Sequence, residues 1–273
     1  IAKETSPRST KLVHGGVRYL QQGDVLLVME ALKERGIMIR NASHLTSDQE
    51  FVIPAYTWFD VILYTVGLKF YDILSGRLSL GKSYFINKGK VISRLPNIRR
   101  EGLKGGIVYH DGKFDDSRMA ISLAAACVRH GGTVLNYFEV KDLIKDENGK
   151  VKGVKAYDVI SKEEYFIESK LVINATGVFA DDILKMDNPA AKSIIKPSQG
   201  VHIVLDNYFL QGNSALMIPK TEDGRVLFAI PWHGKVIAGT TDTPLDKISS
   251  EPVAFEEEIM FILRNASQYL VKK

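Results

Sequence analysis

The sequence predicts an α/β fold with an α+β cap, in which a dinucleotide-type layer is interleaved with a domain built on an antiparallel sheet. Three observations lead there. The apolar run Leu171-Val172-Ile173 enters the turn Asn174-Ala175-Thr176-Gly177 and then a helix from about Phe179 to Met186, the strand, glycine turn, helix order of a dinucleotide-binding layer. From Val201 onward the pattern changes to four short strands, Val201 to Leu205, Ala215 to Pro219, Val226 to Pro231 and Lys235 to Thr240, with Glu222-Asp223-Gly224 and His233-Gly234 as turns. Between them in character lies the stretch Glu50 to Arg100, rich in aromatic and basic residues, which reads as an insertion into the α/β layer.

The remaining elements follow in chain order. Asp24 is placed as the N-cap of a helix with Val25, Val28, Met29 and Leu32 on one face, expected to stop near Gly36. Asp115-Asp116 cap a second helix from Met119 to Arg129, ended by Gly131-Gly132, and one of the two carboxylates can position a neighbouring loop. Its Ala124-Ala125-Ala126 run suits close packing. A short strand at Thr133 to Asn136 and a β-meander follow, with Asn148-Gly149 and Ser161-Lys162-Glu163 as turns. Phe255 to Val271 has helical spacing. His233, in the Trp232-His233-Gly234-Lys235 turn, reads as hairpin punctuation.

With 273 residues, 45% of them hydrophobic, the chain can bury the core of one large or two modest domains. The net charge of +4, from 36 basic and 32 acidic residues, is too small and dispersed for a nucleic-acid surface, and it suits an anionic small substrate. Cys127 is the single cysteine, so no intrachain disulfide can form and a reducing, cytoplasmic setting is expected. The six histidines and one cysteine make no zinc-ligand spacing, so no metal is expected. The most apolar stretch, Tyr56 to Leu80, is interrupted by Asp60, Lys69, Asp72 and Arg77, and no transmembrane helix is expected. The opening Ile1-Ala2-Lys3-Glu4 and the uncapped final helix read as cut ends.

The run Ser6-Pro7-Arg8-Ser9-Thr10-Lys11-Leu12-Val13-His14-Gly15-Gly16-Val17-Arg18-Tyr19-Leu20 resembles the segment that passes the flavin in FAD-dependent (aerobic) glycerol-3-phosphate dehydrogenases. Tyr109 to Met119, Asn174 to Gly177, Lys196 to Leu205 and Arg225 to Asp242 resemble the same family in the same order. The resemblance implies an FAD-binding domain of glutathione-reductase-like, amine-oxidase-like type, interleaved with an antiparallel-sheet substrate domain. It assigns 1–47 and 106–195 to the former, and 48–105 and 196–273 to the latter. The family's G-x-G-x-x-G motif is absent, as is its later glycine-rich segment with a lysine and threonines. The chain is accordingly expected to be an internal fragment that lacks the first strand, inactive alone, with FAD held only by the complete enzyme.

The resemblance also implies roles. Arg18 and Arg225 match substrate-phosphate positions, where a guanidinium fork suits a phosphate better than a point charge. At an effective dielectric near 20, a cation about 4 Å from one anionic charge gains on the order of 4 kcal/mol before desolvation. By the resemblance Tyr19 donates a hydrogen bond from its hydroxyl to substrate, and His14 is a candidate proton acceptor or flavin neighbour. Ser9, Thr10, Lys11, Leu12, His14, Gly15, Gly16, Thr176 and Gly177 would contact the cofactor. Ser198, His202 and Thr240-Thr241-Asp242 fall near where the family lines its site. The implied reaction oxidises sn-glycerol 3-phosphate to dihydroxyacetone phosphate, with electrons passing through FAD to quinone. Alternatives are a glycerophosphate oxidase that uses oxygen, and a non-catalytic binding or scaffold domain. Peripheral contact with the inner face of the cell membrane, through the aromatic and basic residues between Tyr56 and Lys90, is a further expectation.

Overall fold

The computed structural model describes residues 1–271, the side chains of Arg18 and Gln21 excepted. In chain order the elements are β1 (Leu12–Val13), α1 (Val17–Gln21), α2 (Val25–Asn41), β2 (Thr46–Ala55), α3 (Trp58–Ser75), β3 (Tyr84–Asn87), α4 (Lys88–Arg94), β4 (Gly105–Phe114) and α5 (Asp116–Arg129). They continue as β5 (Phe138–Lys145), β6 (Val151–Asp158), β7 (Glu164–Glu168), α6 (Ala180–Asp187), β8 (His202–Asp206), β9 (Ala215–Ile218), β10 (Leu227–Trp232), β11 (Lys235–Gly239) and α7 (Glu256–Ser267). They group into two compact units. The larger comprises Ala2–Ala120, Gly200–Thr243 and Val253–Lys273; the smaller comprises Ile1, Ile121–Gln199 and Pro244–Pro252.

The larger unit is organised by one mixed sheet in the order β1-β4-β2-β9-β10-β11-β8, with β3 also pairing β4. Its backbone is the antiparallel β2–β4 ladder, which runs without a break from Thr46↔Phe114 to Ala55↔Gly105. β9 joins β2 in parallel, Ala215 opposite Phe51, and β10, β11 and β8 add antiparallel strands beyond it. Successive residues of the same strands feed two different cores. Val52, Val108, Leu216 and Ile218 pack with Val91 of α4, Leu95 just after it, and Ile262 and Ala266 of α7. Phe51, Ile53, Ile107, Tyr109, Ala215 and Met217 pack on the opposite face with Leu68 of α3.

The four expected strands from Val201 onward form as β8 to β11. β2 and β4, which the sequence reading does not place as strands, are central to the sheet. Because both faces of these strands are buried, their sequences lack the polar-apolar alternation that marks a half-exposed strand. α2 begins as expected, with Asp24 accepting a hydrogen bond from the Leu27 amide at 3.1 Å, and buries Val28 and Leu32 while Met29 stays exposed. It does not stop at Gly36. A glycine inside a helix costs only about 1 kcal/mol, and here it admits Leu78, whose Cβ lies 2.8 Å from where a Cβ on Gly36 would stand.

In the smaller unit β5, β6 and β7 form the expected meander, with Gly149 at φ 77° and Lys162 at φ 66° in its turns. α5, which begins in the larger unit, and α6 fall where the sequence places helices, and Gly131 follows α5 at φ 83°. Two expected strands are absent as such. Residues 133–136 and 171–173 join no ladder among the described residues, and Leu171 and Ile173 are 73% and 78% exposed. An apolar run supplies the side chains of a buried strand, but the strand exists only when a neighbour accepts its backbone hydrogen bonds. The alanine run of α5 also packs loosely, with Ala125 exposed.

Replacing Gly36 by alanine gains helix propensity but drives a methyl into Leu78. Chemical denaturation should show Gly36→Ala less stable by about 1–3 kcal/mol, the usual cost of overpacking, with Leu78→Ala in the same chain recovering part of the loss.

Candidate functional site

The segment with the family-like motif enters the larger unit as β1, which pairs with β4 through Leu12↔Lys113 and Val13↔Gly112. Ahead of it, Lys11 adopts φ 61°, a left-handed conformation uncommon for a non-glycine residue. Asp116, at the start of α5, holds it there. One carboxylate oxygen accepts from the Ser9 hydroxyl at 2.8 Å and the Ser9 amide at 3.2 Å, and the Lys11 ammonium reaches the two oxygens at 2.8 and 2.6 Å. The Lys11 ammonium also donates to the Pro7 carbonyl. Burial would raise the Asp116 pKa, but the hydrogen bonds from Lys11 and Ser9 outweigh it and leave the carboxyl below its usual range. The side chains of Ser9 and Lys11 are therefore committed to Asp116. Asp115 is the simple cap, accepting from the Arg118 amide at 3.0 Å.

Thr10 meets His202 of β8. The threonine hydroxyl and the imidazole Nε2 lie 2.8 Å apart, although the residues are 192 positions apart in sequence. Burial, reinforced by the nearby Lys11 charge and opposed by Asp116, lowers the His202 pKa to about 4, so the ring is neutral at pH 7. The Thr241 hydroxyl is buried, accepting from the Val201 amide at 2.9 Å and donating to Glu258 at 3.1 Å.

Beyond β1, His14 is exposed and its Nδ1 accepts from the Gly16 amide at 3.1 Å. An acceptor at Nδ1 leaves the proton of the neutral ring on Nε2, which is then a donor. Gly16, at φ 72°, is the N-cap of α1. The Arg18 side chain lies outside the described residues, so its meeting with Arg225 stays an expectation. Tyr19 is 39% exposed.

Arg225, between the Glu222-Asp223-Gly224 turn and β10, is clasped by acids. Its Nε donates to Asp223 at 2.7 Å and Nη2 donates to the same oxygen; Nη1 lies 3.7 Å from Asp242, and the guanidinium sits 5.7 Å from the Phe261 ring centroid. Burial works against the Asp223 charge, yet hydrogen bonds from Arg225 and Thr221 bring its pKa down to about 2. A phosphate at Arg225 would have to displace or share these carboxylates. Thr176 and Gly177 belong to the smaller unit, where the Thr176 hydroxyl donates to Asn174 at 2.8 Å. Gly177 has φ 58° and open space where a side chain would project. That bare backbone fits the close approach of a ribityl or pyrophosphate group, and the exposed His14 edge fits a flanking ring.

The family model described as FAD dependent oxidoreductase matches residues 1–272. The chain belongs to this FAD-dependent oxidoreductase family. Within it, the chain is 42% identical to the mitochondrial glycerol-3-phosphate dehydrogenases of Schizosaccharomyces pombe, over 99% of this chain and 44% of that protein, and of Homo sapiens, over 97% and 38%. Among solved structures it superposes on the FAD-complexed glycerol-3-phosphate dehydrogenase of Bacillus halodurans with TM-score 0.78 and 32% identity, covering 99% of this chain and 46% of that one. The chain thus spans between 38% and 46% of the length of these relatives.

The depressed His202 pKa has a consequence for stability. In the unfolded chain this histidine takes up a proton near its ordinary pKa of about 6.5, whereas the folded site resists it down to about 4. The unfolded state binds more protons in that window, so stability falls as pH drops through it, by on the order of 3 kcal/mol from this group. Urea denaturation at pH 7 and pH 4.5 should show a smaller acid loss in His202→Gln than in the wild type.

Proposed function

We propose that the full-length protein oxidises sn-glycerol 3-phosphate to dihydroxyacetone phosphate with FAD as the bound redox group. The reading rests on the 9–19 segment, which carries the family-like hydroxyls, His14, Arg18 and Tyr19 and is anchored by Asp116 and His202 at the edge of a sheet similar to that of an FAD-complexed dehydrogenase. By the same reading, 1–47 and 106–195 serve the flavin, and 48–105 and 196–273 serve the substrate.

FAD, when bound, would supply the acceptor for the hydride leaving the substrate C2 carbon. The chain's own groups supply binding and orientation. Thr10, the Lys11 and Leu12 backbone and the Gly15-Gly16 turn would border the cofactor, and the family resemblance gives Thr176 and Gly177 a cofactor-binding role as well. Arg18 and Arg225 grip the phosphate, Arg225 by exchanging part of its hold on Asp223 and Asp242. Tyr19 donates to substrate. His14, with Nδ1 held by Gly16, presents Nε2–H to the substrate oxygen or the flavin; it takes the substrate hydroxyl proton at Nε2 only in the other neutral tautomer, with the ring proton on Nδ1 and the Gly16 hydrogen bond given up. Full-length protein should show flavin bleaching by glycerol 3-phosphate under anaerobic conditions. Arg18→Ala should raise KM more than tenfold, and an unchanged KM would remove the arginine clamp from this account.

Electrons then pass to quinone, at a membrane to which the protein binds peripherally. No helix among the described residues is long and apolar enough to cross a membrane. α3, however, buries Leu68 on one side while Phe59, Ile62, Val66 and Ile73 remain exposed at helical spacing on the other. Lys82, Lys88 and Lys90, all exposed, follow it, and Asp72 of α3 ties down their neighbour Ser83 through the serine hydroxyl at 2.6 Å. Apolar stripe and lysines together suit an anionic bilayer surface. The full-length protein is expected to co-sediment with phosphatidylserine-containing vesicles, and glutamate at Lys82, Lys88 and Lys90 should reduce binding at least fivefold. Oxygen-electrode and quinone-reductase assays separate the dehydrogenase from an oxidase.

A further inference from the structure

Behind the Gly15-Gly16 turn, three buried polar side chains converge from three separate elements. Arg35 of α2, Tyr71 of α3 and Asp111 of β4 are 1%, 2% and 3% exposed. The Arg35 Nη1 donates to Asp111 Oδ1 at 2.8 Å, and the Tyr71 hydroxyl donates to Asp111 Oδ2 at 2.9 Å. Arg35 is further tied to the Leu78 carbonyl at 3.2 Å, and Asp111 Oδ1 accepts from the Gly112 amide at 3.2 Å. The remaining acceptors meet at one backbone group outside these elements. The Gly15 amide donates to the Tyr71 oxygen at 2.8 Å and to Asp111 Oδ1 at 3.3 Å.

A buried ion pair is a poor way to add stability, because desolvation offsets most of its attraction and an apolar cluster of similar volume often does better. This one carries an added penalty, for the Arg35 Nε is buried without a partner among the described residues. Its distinctive feature is where its lone pairs point. The chain is also pressed onto it: a Cβ on Gly15 would fall 2.3 Å from the Tyr71 oxygen and 2.3 Å from Leu32 Cδ2. Position 15 is therefore held both by hydrogen bonds and by contact. On one side of it stands His14; on the other, Gly16 turns the chain at φ 72° into α1. Burial and the Asp111 charge keep the Tyr71 hydroxyl protonated by raising its pKa well above the ordinary value, which preserves its double role as acceptor and donor.

We infer that Arg35, Tyr71 and Asp111 are positioning residues that hold the Gly15 amide and thereby set the placement of His14 and of α1, with Arg18 and Tyr19, toward flavin and substrate. The inference rests on the function proposed above. Asp111 anchors, Arg35 orients Asp111, and Tyr71 transmits the hold to the backbone. None of the three is a catalytic residue in this account.

The test uses full-length Tyr71→Phe, which removes one oxygen and keeps the ring in its apolar setting of Val28 and Leu32. Hydrogen-exchange mass spectrometry of the flavin-free protein should show exchange at least tenfold faster in peptides covering residues 12–20, with β2 and β4 peptides unchanged. The FAD dissociation constant, read by flavin fluorescence, should rise at least fivefold, and KM for glycerol 3-phosphate should rise at least fivefold with kcat within threefold of wild type. Exchange that is unchanged at 12–20, or equally faster throughout the unit, overturns the inference and leaves the network a purely structural one. So does a local exchange change with FAD affinity and KM both within twofold of wild type. If wild-type protein binds FAD but does not oxidise glycerol 3-phosphate, the proposed substrate fails, while exchange and FAD affinity still decide the role of the network. Should Tyr71→Phe not fold, Asp111→Asn, which keeps the side-chain shape but removes the charge, is judged by the same measurements.

Discussion

The larger unit depends on the β2–β4 ladder. It pairs ten residues with ten, is buried from Phe51 to Ala55, and joins β1 and β3 on one side to β9, β10, β11 and β8 on the other. β1 hangs on one side of β4, so the family-like segment inherits its register from the ladder. β9 hangs on the far side of β2 and brings β10, β11 and finally β8 with it, which carries His202 to Thr10. A one-residue slip in such a ladder would exchange the two cores, sending Val52 and Val108 to the side of Phe51 and Tyr109. Shape and volume on both faces therefore specify one register.

On that frame the site is assembled by neutralisation before any ligand is present. Lys11 is spent on Asp116, Arg225 on Asp223, and Arg35 on Asp111. The first and third pairs are buried, where removing one partner would strand a charge, so they act as fixed joints. The Arg225 pair is more open, with 22% and 34% of the two side chains exposed, and so can be traded for a competing anion at lower cost. The difference in burial separates fixed cations from one whose pairing can be exchanged. His202, kept neutral by burial, adds no charge beside Lys11, so Thr10 is held by a hydrogen bond that changes little near pH 7.

The apolar surface of α3 is a different kind of feature. Helices that cover a core usually turn a polar face to water, whereas α3 combines a buried side with an exposed stripe of Phe59, Ile62, Val66 and Ile73. Its ends are well determined: Thr57 and Asp60 form a reciprocal capping box at the start, and Gly76 follows at φ 50°. The stripe thus belongs to a helix with both ends defined.

Much of the local structure was legible in the residues themselves. Asp24, Asp115-Asp116, Gly131, Asn148-Gly149 and the glycines of the later hairpins act through their nearest neighbours, by capping and by tolerating left-handed φ, and such effects need no tertiary context. The family-like motif of residues 6–20 was equally visible, because the residue types themselves carry it. Strand identity behaved otherwise. β2 and β4 carry no alternation because both faces are covered, and Leu171 to Ile173 has a strand's side chains without a strand's ladder. Only the folded chain decided that Thr10 meets His202, that Asp116 rather than Asp115 is the carboxylate that holds a loop, and that Arg35, Tyr71 and Asp111 converge on one amide. The reason is physical: a cap or turn is a property of four or five consecutive residues, whereas a buried hydrogen bond exists only where the sheet brings distant segments within about 3 Å of one another.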